Sequence, residues 1–121
     1  MSPELIDHFR NPRNVGELPP PALTIEVSNP ICGDILRLSV LAEDGTIGEA
    51  RYKVRGCAAS IAAGSALTEL MVGKNARELK ALNRNDVENA VGGLSNESKH
   101  AALLCEDALA AVLSAVVTKL G

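Results

Sequence analysis

Between Leu23 and Arg55 the apolar side chains largely recur at every second residue, and beyond Gly56 that period is lost. A period of two belongs to half-buried strands. Leu23, Ile25 and Val27 alternate with Thr24, Glu26 and Ser28, which predicts a first strand. Ile35, Leu36, Leu38, Val40 and Leu41 predict a second, and Ile47 to Arg55 a third with Ala50, Tyr52 and Val54 on one face. Glu43-Asp44-Gly45 is a turn signal between the last two. Consecutive strands with short connections favour an antiparallel meander. From Ala58 to Val72 the chain has helical length and many small residues, with Gly73 placed to end it. Ala76–Leu82 and Asn85–Ala90 predict two short helices, and Gly92-Gly93 interrupts the chain. Ser95, with Ser98 nearby, precedes a final helix running to about Lys119. Its apolar positions Ala101, Leu104, Cys105, Ala108, Val112, Ala115 and Val116 keep close to the 3.6 period. At the other end, Ser2-Pro3-Glu4 reads as a cap, a first-turn proline and an early acid, opening a helix to about Phe9. Asn11-Pro12 stops it.

A chain of 121 residues with 46% hydrophobic and 22% charged residues suits one compact domain, residues 1–121, with a core that needs no disulfides. With one Phe, one Tyr and no Trp, that core is built from Ala, Val, Leu and Ile. A net charge of −3 argues against nucleic acid as a partner, which calls for a basic face. No apolar run approaches the about 18 residues of a membrane span. MSPELIDHFR has no apolar signal region, so the cytoplasm is the expected compartment. Three cysteines are an odd count and fit a disulfide framework poorly. In the cytosol such residues serve more often as ligands, nucleophiles or core packing.

Two of the three sit where chemistry is done. Pro30-Ile31-Cys32-Gly33-Asp34 puts a thiol and a carboxylate two residues apart in a tight loop, with glycine easing a ligand's approach. The bland reading is a turn cysteine, with Asp34 bonding to local backbone. Gly56-Cys57-Ala58 puts the second thiol at a strand-to-helix junction, where the helix dipole and free N–H groups favour thiolate. Thiolate is the form that binds soft metals and sulfide clusters. The alternative is a cysteine packed under the helix. His100 and Cys105 lie early in the last helix. Five residues apart, they are about 140° apart around the axis and do not share a face. Imidazole is a common zinc and iron ligand, but His100 also fits a solvated helix start, and Cys105 fits the apolar stripe. Together Cys32, Asp34, Cys57, His100 and Cys105 offer enough donors for a four-ligand zinc or cluster-iron site. A Cys57–His100 nucleophilic pair lacks an obvious third orienting group. His8 is expected to be exposed.

The chain resembles the IscU/NifU N-terminal-domain family. His8-Phe9-Arg10-Asn11-Pro12-Arg13-Asn14-Val15-Gly16 is similar to the family's opening H-[FY]-x-N-P-x-N-x-G. Asn29 to Asp34 resembles its first ligand loop, Ala50 to Ala62 its second, and Glu106-Asp107-Ala108-Leu109 its last-helix stretch. The resemblance covers nearly the whole chain, in order. It implies an α+β fold, a three-stranded antiparallel sheet with helices packed against it (the SufE/NifU-like fold). It also implies a scaffold rather than an enzyme. The family receives sulfur from a cysteine desulfurase, gathers iron, builds a labile [2Fe–2S] cluster and passes it to apo iron–sulfur acceptor proteins. By motif, Cys32 and Cys57 are ligands and Asp34 is a ligand or the carboxylate that keeps the cluster exchangeable. Zinc can occupy the cluster-free form.

The third ligand departs from the family pattern. Aligning on Glu106-Asp107-Ala108 puts His100 on the family's histidine and Ala101 on its cysteine. Cys105 lies four residues further on, about 6 Å along the axis. Three outcomes stay open: Cys105 replaces the missing thiol by a local rearrangement, His100 serves instead, or the site is incomplete. The Leu-Pro-Pro-Val-Lys motif read by the family's chaperone is replaced by Leu94-Ser95-Asn96-Glu97-Ser98-Lys99, so that partner is not implied. The competing functional reading is a zinc-binding sulfur-relay partner of a desulfurase that builds no cluster.

Overall fold

The structure, a computed structural model, describes residues 2–30 and 33–120, with side chains described to residue 115. Helix α1 (Pro3–Arg10) leads into strands β1 (Leu23–Ser28), β2 (Ile35–Glu43) and β3 (Thr46–Arg55). Helices α2 (Ala58–Met71), α3 (Ala76–Ala81) and α4 (Arg84–Ala90), a 3₁₀ turn at Asn96–Ser98 and α5 (Lys99–Leu120) follow. The strands form one antiparallel sheet in the order β1-β2-β3, the meander that the alternation predicts. Leu36 pairs with Val54, Leu38 with Tyr52 and Val40 with Ala50, so the apolar set of each strand falls on one face. That face carries α5 across β1 and β2, and α2 across β3.

Helix α2 explains how a core with so few aromatics closes. Ten of its fourteen residues are buried, among them Ala59, Ala62, Ala63, Ala66, Ser65 and Thr68. A helix apolar all round is a central helix, and α2 touches β3, α1, α4 and α5. Small side chains let these neighbours approach closely. At Gly64 a Cβ would lie 2.5 Å from the ring of Tyr52, so glycine there makes room for the largest core side chain. Gly73, at φ +86°, ends the helix just after Val72. The two short helices that follow each carry a capping box, Asn75 with Glu78 and Asn83 with Asp86. The final helix is entered through the 3₁₀ turn, and no side-chain hydrogen bond from Ser95 caps that turn. Ala101, Leu104, Cys105, Ala108 and Val112 are buried along α5 as expected, but Ala115 is exposed. The side chain of Val116 lies outside those described.

His8 corrects the sequence reading. It is 8% exposed, not solvated. Its Nδ1 lies 2.7 Å from the Ser65 hydroxyl, which also accepts the Arg13 backbone N–H at 2.9 Å. Arg13 Nη1, which can only donate, lies 3.2 Å from the same ring nitrogen, so Nδ1 is the accepting nitrogen. Burial, reinforced by the Arg13 charge, pushes the His8 pKa down, so the ring is held neutral. Next along the motif, Asn14 adopts φ +57° and bonds the Thr68 hydroxyl. Tyr52 N–H donates to the Asn14 carbonyl, and Gly16 N–H to that of Tyr52. The opening motif thus clamps the N-terminal segment to α2 and the open edge of β3. Among the described residues, no helix is long and apolar enough to cross a membrane.

Candidate metal centre

The β2–β3 register determines where the ligand loops meet. Ile35 pairs with Arg55, so one step beyond the ladder Asp34 stands opposite Gly56, beside Cys57. The Asp34 carboxyl leans over Gly56 so closely that a Cβ there would lie 2.7–3.0 Å from it. Glycine before the cysteine is thereby explained by the approach of the carboxylate. Cys57 is the N-cap of α2, with no side-chain capping bond of its own, and its thiol is exposed. The start of α5 brings His100, half-buried, from a third direction.

The Nε2 of His100 is 3.6 Å from Cys57 Sγ and 3.4 Å from Asp34 Oδ2, and Sγ and Oδ2 are 3.9 Å apart. Tetrahedral zinc, with bonds of about 2.0–2.3 Å, sets its donors about 3.3–3.8 Å apart. The trio is spaced like three corners of such a site. One thiolate, one imidazole and one carboxylate are also a fitting donor set for zinc or cluster iron. Among the described residues, these three are the only His, Cys, Asp or Glu cluster spaced to hold a metal ion. A cavity of about 310 Å³, lined by Leu5, Ala59, Gly93 and Ser98 among others, opens on Cys57.

Electrostatics prepare the donors. Burial raises the Cys57 pKa, but the polar groups beside it, the Ser60 hydroxyl and amide, His100 and the Ala59 amide, outweigh it and leave the thiol below its ordinary value. Burial lowers the His100 pKa, but its bond to Cys57, the Cys57 charge, the Glu97 carbonyl and the Asp34 charge raise it overall. The metal-free pair therefore leans toward thiolate and imidazolium. Imidazole binds metal in its neutral form, so metal and proton compete for the ring.

Of the other sequence candidates, Cys32 lies outside the described residues. Cys105 is not part of the trio. It is 1% exposed, packed in the same core cluster as Tyr52, Leu104 and Ala108. Burial pushes its thiol up to about 12, which keeps it protonated. Ala101, at the family's cysteine position, is fully buried. Ser60 was not among the candidates. Its hydroxyl donates to Asp34 Oδ2 at 2.6 Å and lies 3.5 Å from Cys57 Sγ. The signal available was its spacing, three residues after Cys57 on a helix, which puts the two side chains on one face. Among the described residues, the Asp34 side chain bonds across to Ser60 on α2.

Comparison with known proteins agrees with the sequence resemblance. The family profile for the NifU-like N terminal domain matches residues 1–120. Among similar curated proteins, "Iron-sulfur cluster assembly scaffold protein IscU 1" of Archaeoglobus fulgidus is 38% identical over 108 residues, 89% of this chain and 71% of that one. The IscU scaffold protein of Haemophilus influenzae is 34% identical over 124 residues, covering 99% and 98% of the two chains. That of Escherichia coli is 35% identical over 117 residues, covering 93% and 91%. A putative iron–sulfur cluster assembly scaffold protein for the SUF system from Fervidobacterium islandicum shares the fold at a TM-score of 0.75 and 21% identity, over 93% of this chain and 96% of that one. With the family profile and these relatives in agreement, the chain belongs to the IscU/NifU N-terminal-domain family.

Proposed function

We propose that this protein is a scaffold on which iron and sulfide are assembled into a labile [2Fe–2S] cluster that is then handed on. The observation that carries the reading is the convergence of Asp34, Cys57 and His100 from three separate elements onto one metal-sized gap. In this reading Cys57 is the thiolate anchor, and Cys32 is the second. His100 takes the place of the cysteine that this chain lacks at Ala101. Asp34 is a hard oxygen ligand in a soft site, so the cargo is held less firmly than by four thiolates and can leave. Sulfur would come from a cysteine desulfurase, and the recipients are apo iron–sulfur proteins in the cytoplasm. The protein's own part is binding and release, with no bond of its own made catalytically.

A second reading is favoured by the spacing of the trio, which suits a single zinc as well as a cluster iron. Here the protein is a zinc-holding sulfur-relay partner of the desulfurase. Anaerobic reconstitution with ferrous iron and sulfide separates the two. The scaffold reading predicts a visible chromophore with about two irons per cluster, lost again on mixing with an apo acceptor. A colourless protein that keeps tightly bound zinc through the same treatment would contradict the scaffold and support the relay.

A further inference from the structure

We infer that Ser60 is a positioning residue that sets how firmly Asp34 holds the cargo metal, and so how fast the site lets it go. The inference rests on the scaffold reading and assigns a role inside it. Asp34 is 6% exposed and Ser60 3%, so neither side chain has bulk water as an alternative partner. The oxygen that faces the gap, Oδ2, is the one that receives the Ser60 proton at 2.6 Å. A serine hydroxyl has one proton to give. Cys57 Sγ also lies within reach at 3.5 Å, but the contact in which the hydroxyl is the donor is the one to Asp34 Oδ2. On its other side the carboxyl rests against the Gly56 backbone, with no room for a Cβ between them. Ser60 is itself fixed in the first turn of α2, its N–H bonded to the Cys57 carbonyl at 3.1 Å. The carboxylate is therefore held between a hydroxyl and a glycine backbone, with Oδ2 giving one of its two lone pairs to Ser60 and keeping the other for a metal.

Two effects of the hydroxyl oppose each other. Hydrogen bonding draws charge from Oδ2 and weakens it as a ligand, whereas fixing the rotamer avoids the cost of ordering the side chain when metal binds. Loss of such outer partners costs metal sites about 10–100-fold in affinity, so orientation is the larger effect.

The test uses cobalt(II), whose ligand-field spectrum reports coordination, and chelator-driven release from the full-length protein. Ser60→Ala is expected to release cobalt about 10–100-fold faster than the wild type, with an altered ligand-field spectrum. In an Asp34→Ala background the same change should act within about twofold, because independent effects add and coupled ones do not. Comparing Asp34→Ala with Asp34→Ala/Ser60→Ala never leaves a buried carboxylate without its partner, so it remains readable if the Ser60→Ala single variant folds poorly. Unchanged or slower release from Ser60→Ala, or the same factor in both backgrounds, would overturn the inference while leaving the scaffold intact. A wild type that takes up no cobalt would overturn both.

Discussion

Cys57→Ala is expected to leave a folded protein that no longer retains a cluster. The reason lies in where the thiol sits. It is exposed at the N-cap of α2, outside the core, and makes no capping bond that the helix would miss. Its amide and carbonyl stay in place in alanine, including the carbonyl that accepts the Ser60 and Ile61 N–H groups. At the site the same change removes the thiolate that His100 and Asp34 face. The loss of metal retention should exceed the about 10–100-fold seen when only an outer partner is removed. Iron and sulfide content after anaerobic gel filtration checks it, alongside a thermal melt. Full iron content in Cys57→Ala would contradict the assignment.

The second large effect separates the two candidates of the last helix. His100→Ala should lose the cluster spectrum while keeping its melting temperature close to that of the wild type, since the ring is only half-buried at the mouth of the site. Cys105→Ala should do the reverse. It should keep the full spectrum but lose about 1 kcal/mol of stability, because one heavy atom is deleted from a closed part of the core. The physical distinction is the 140° that separates positions 100 and 105 around a helix. If one faces the gap, the other faces the sheet. Absorption spectra and denaturant midpoints of both variants, reconstituted side by side, decide the matter. A Cys105→Ala protein that loses its cluster at unchanged stability would mean that the helix turns or unwinds to bring that thiol in.

These two residues also show how far the sequence carries. The strands were legible because the apolar set of each falls on the face that the helices cover, which imposes a period close to two. The change at Gly56 marked the junction where Cys57 sits. The turn pairs Glu43 with Thr46 and by itself would set residue 34 opposite 55; the bulge at Leu41/Ala42 moves it opposite Gly56, so the pattern brought Asp34 near Cys57 but not to its exact register. What the pattern cannot supply is the rotation of α5 about its own axis. Ala101, Leu104, Cys105 and Ala108 define a buried stripe, but whether its rim points His100 at the ligand loops depends on how α5 packs across β1 and β2. His8 was misplaced for a similar reason. Its burial depends on Ser65, which is 57 residues away, and nothing in a short polar helix announces such a partner. Ser60 escaped notice because serine near a helix start is ordinary; its meaning comes from the carboxylate of another loop.

The most direct measurement on the central claim, that Asp34, Cys57 and His100 form one metal site, is X-ray absorption at the zinc edge of the protein loaded with one equivalent of zinc. The account predicts a mixed first shell, with sulfur at about 2.3 Å and nitrogen or oxygen at about 2.0–2.2 Å, the light-atom part reduced in His100→Ala. A shell of sulfur alone, or one without sulfur, would contradict it.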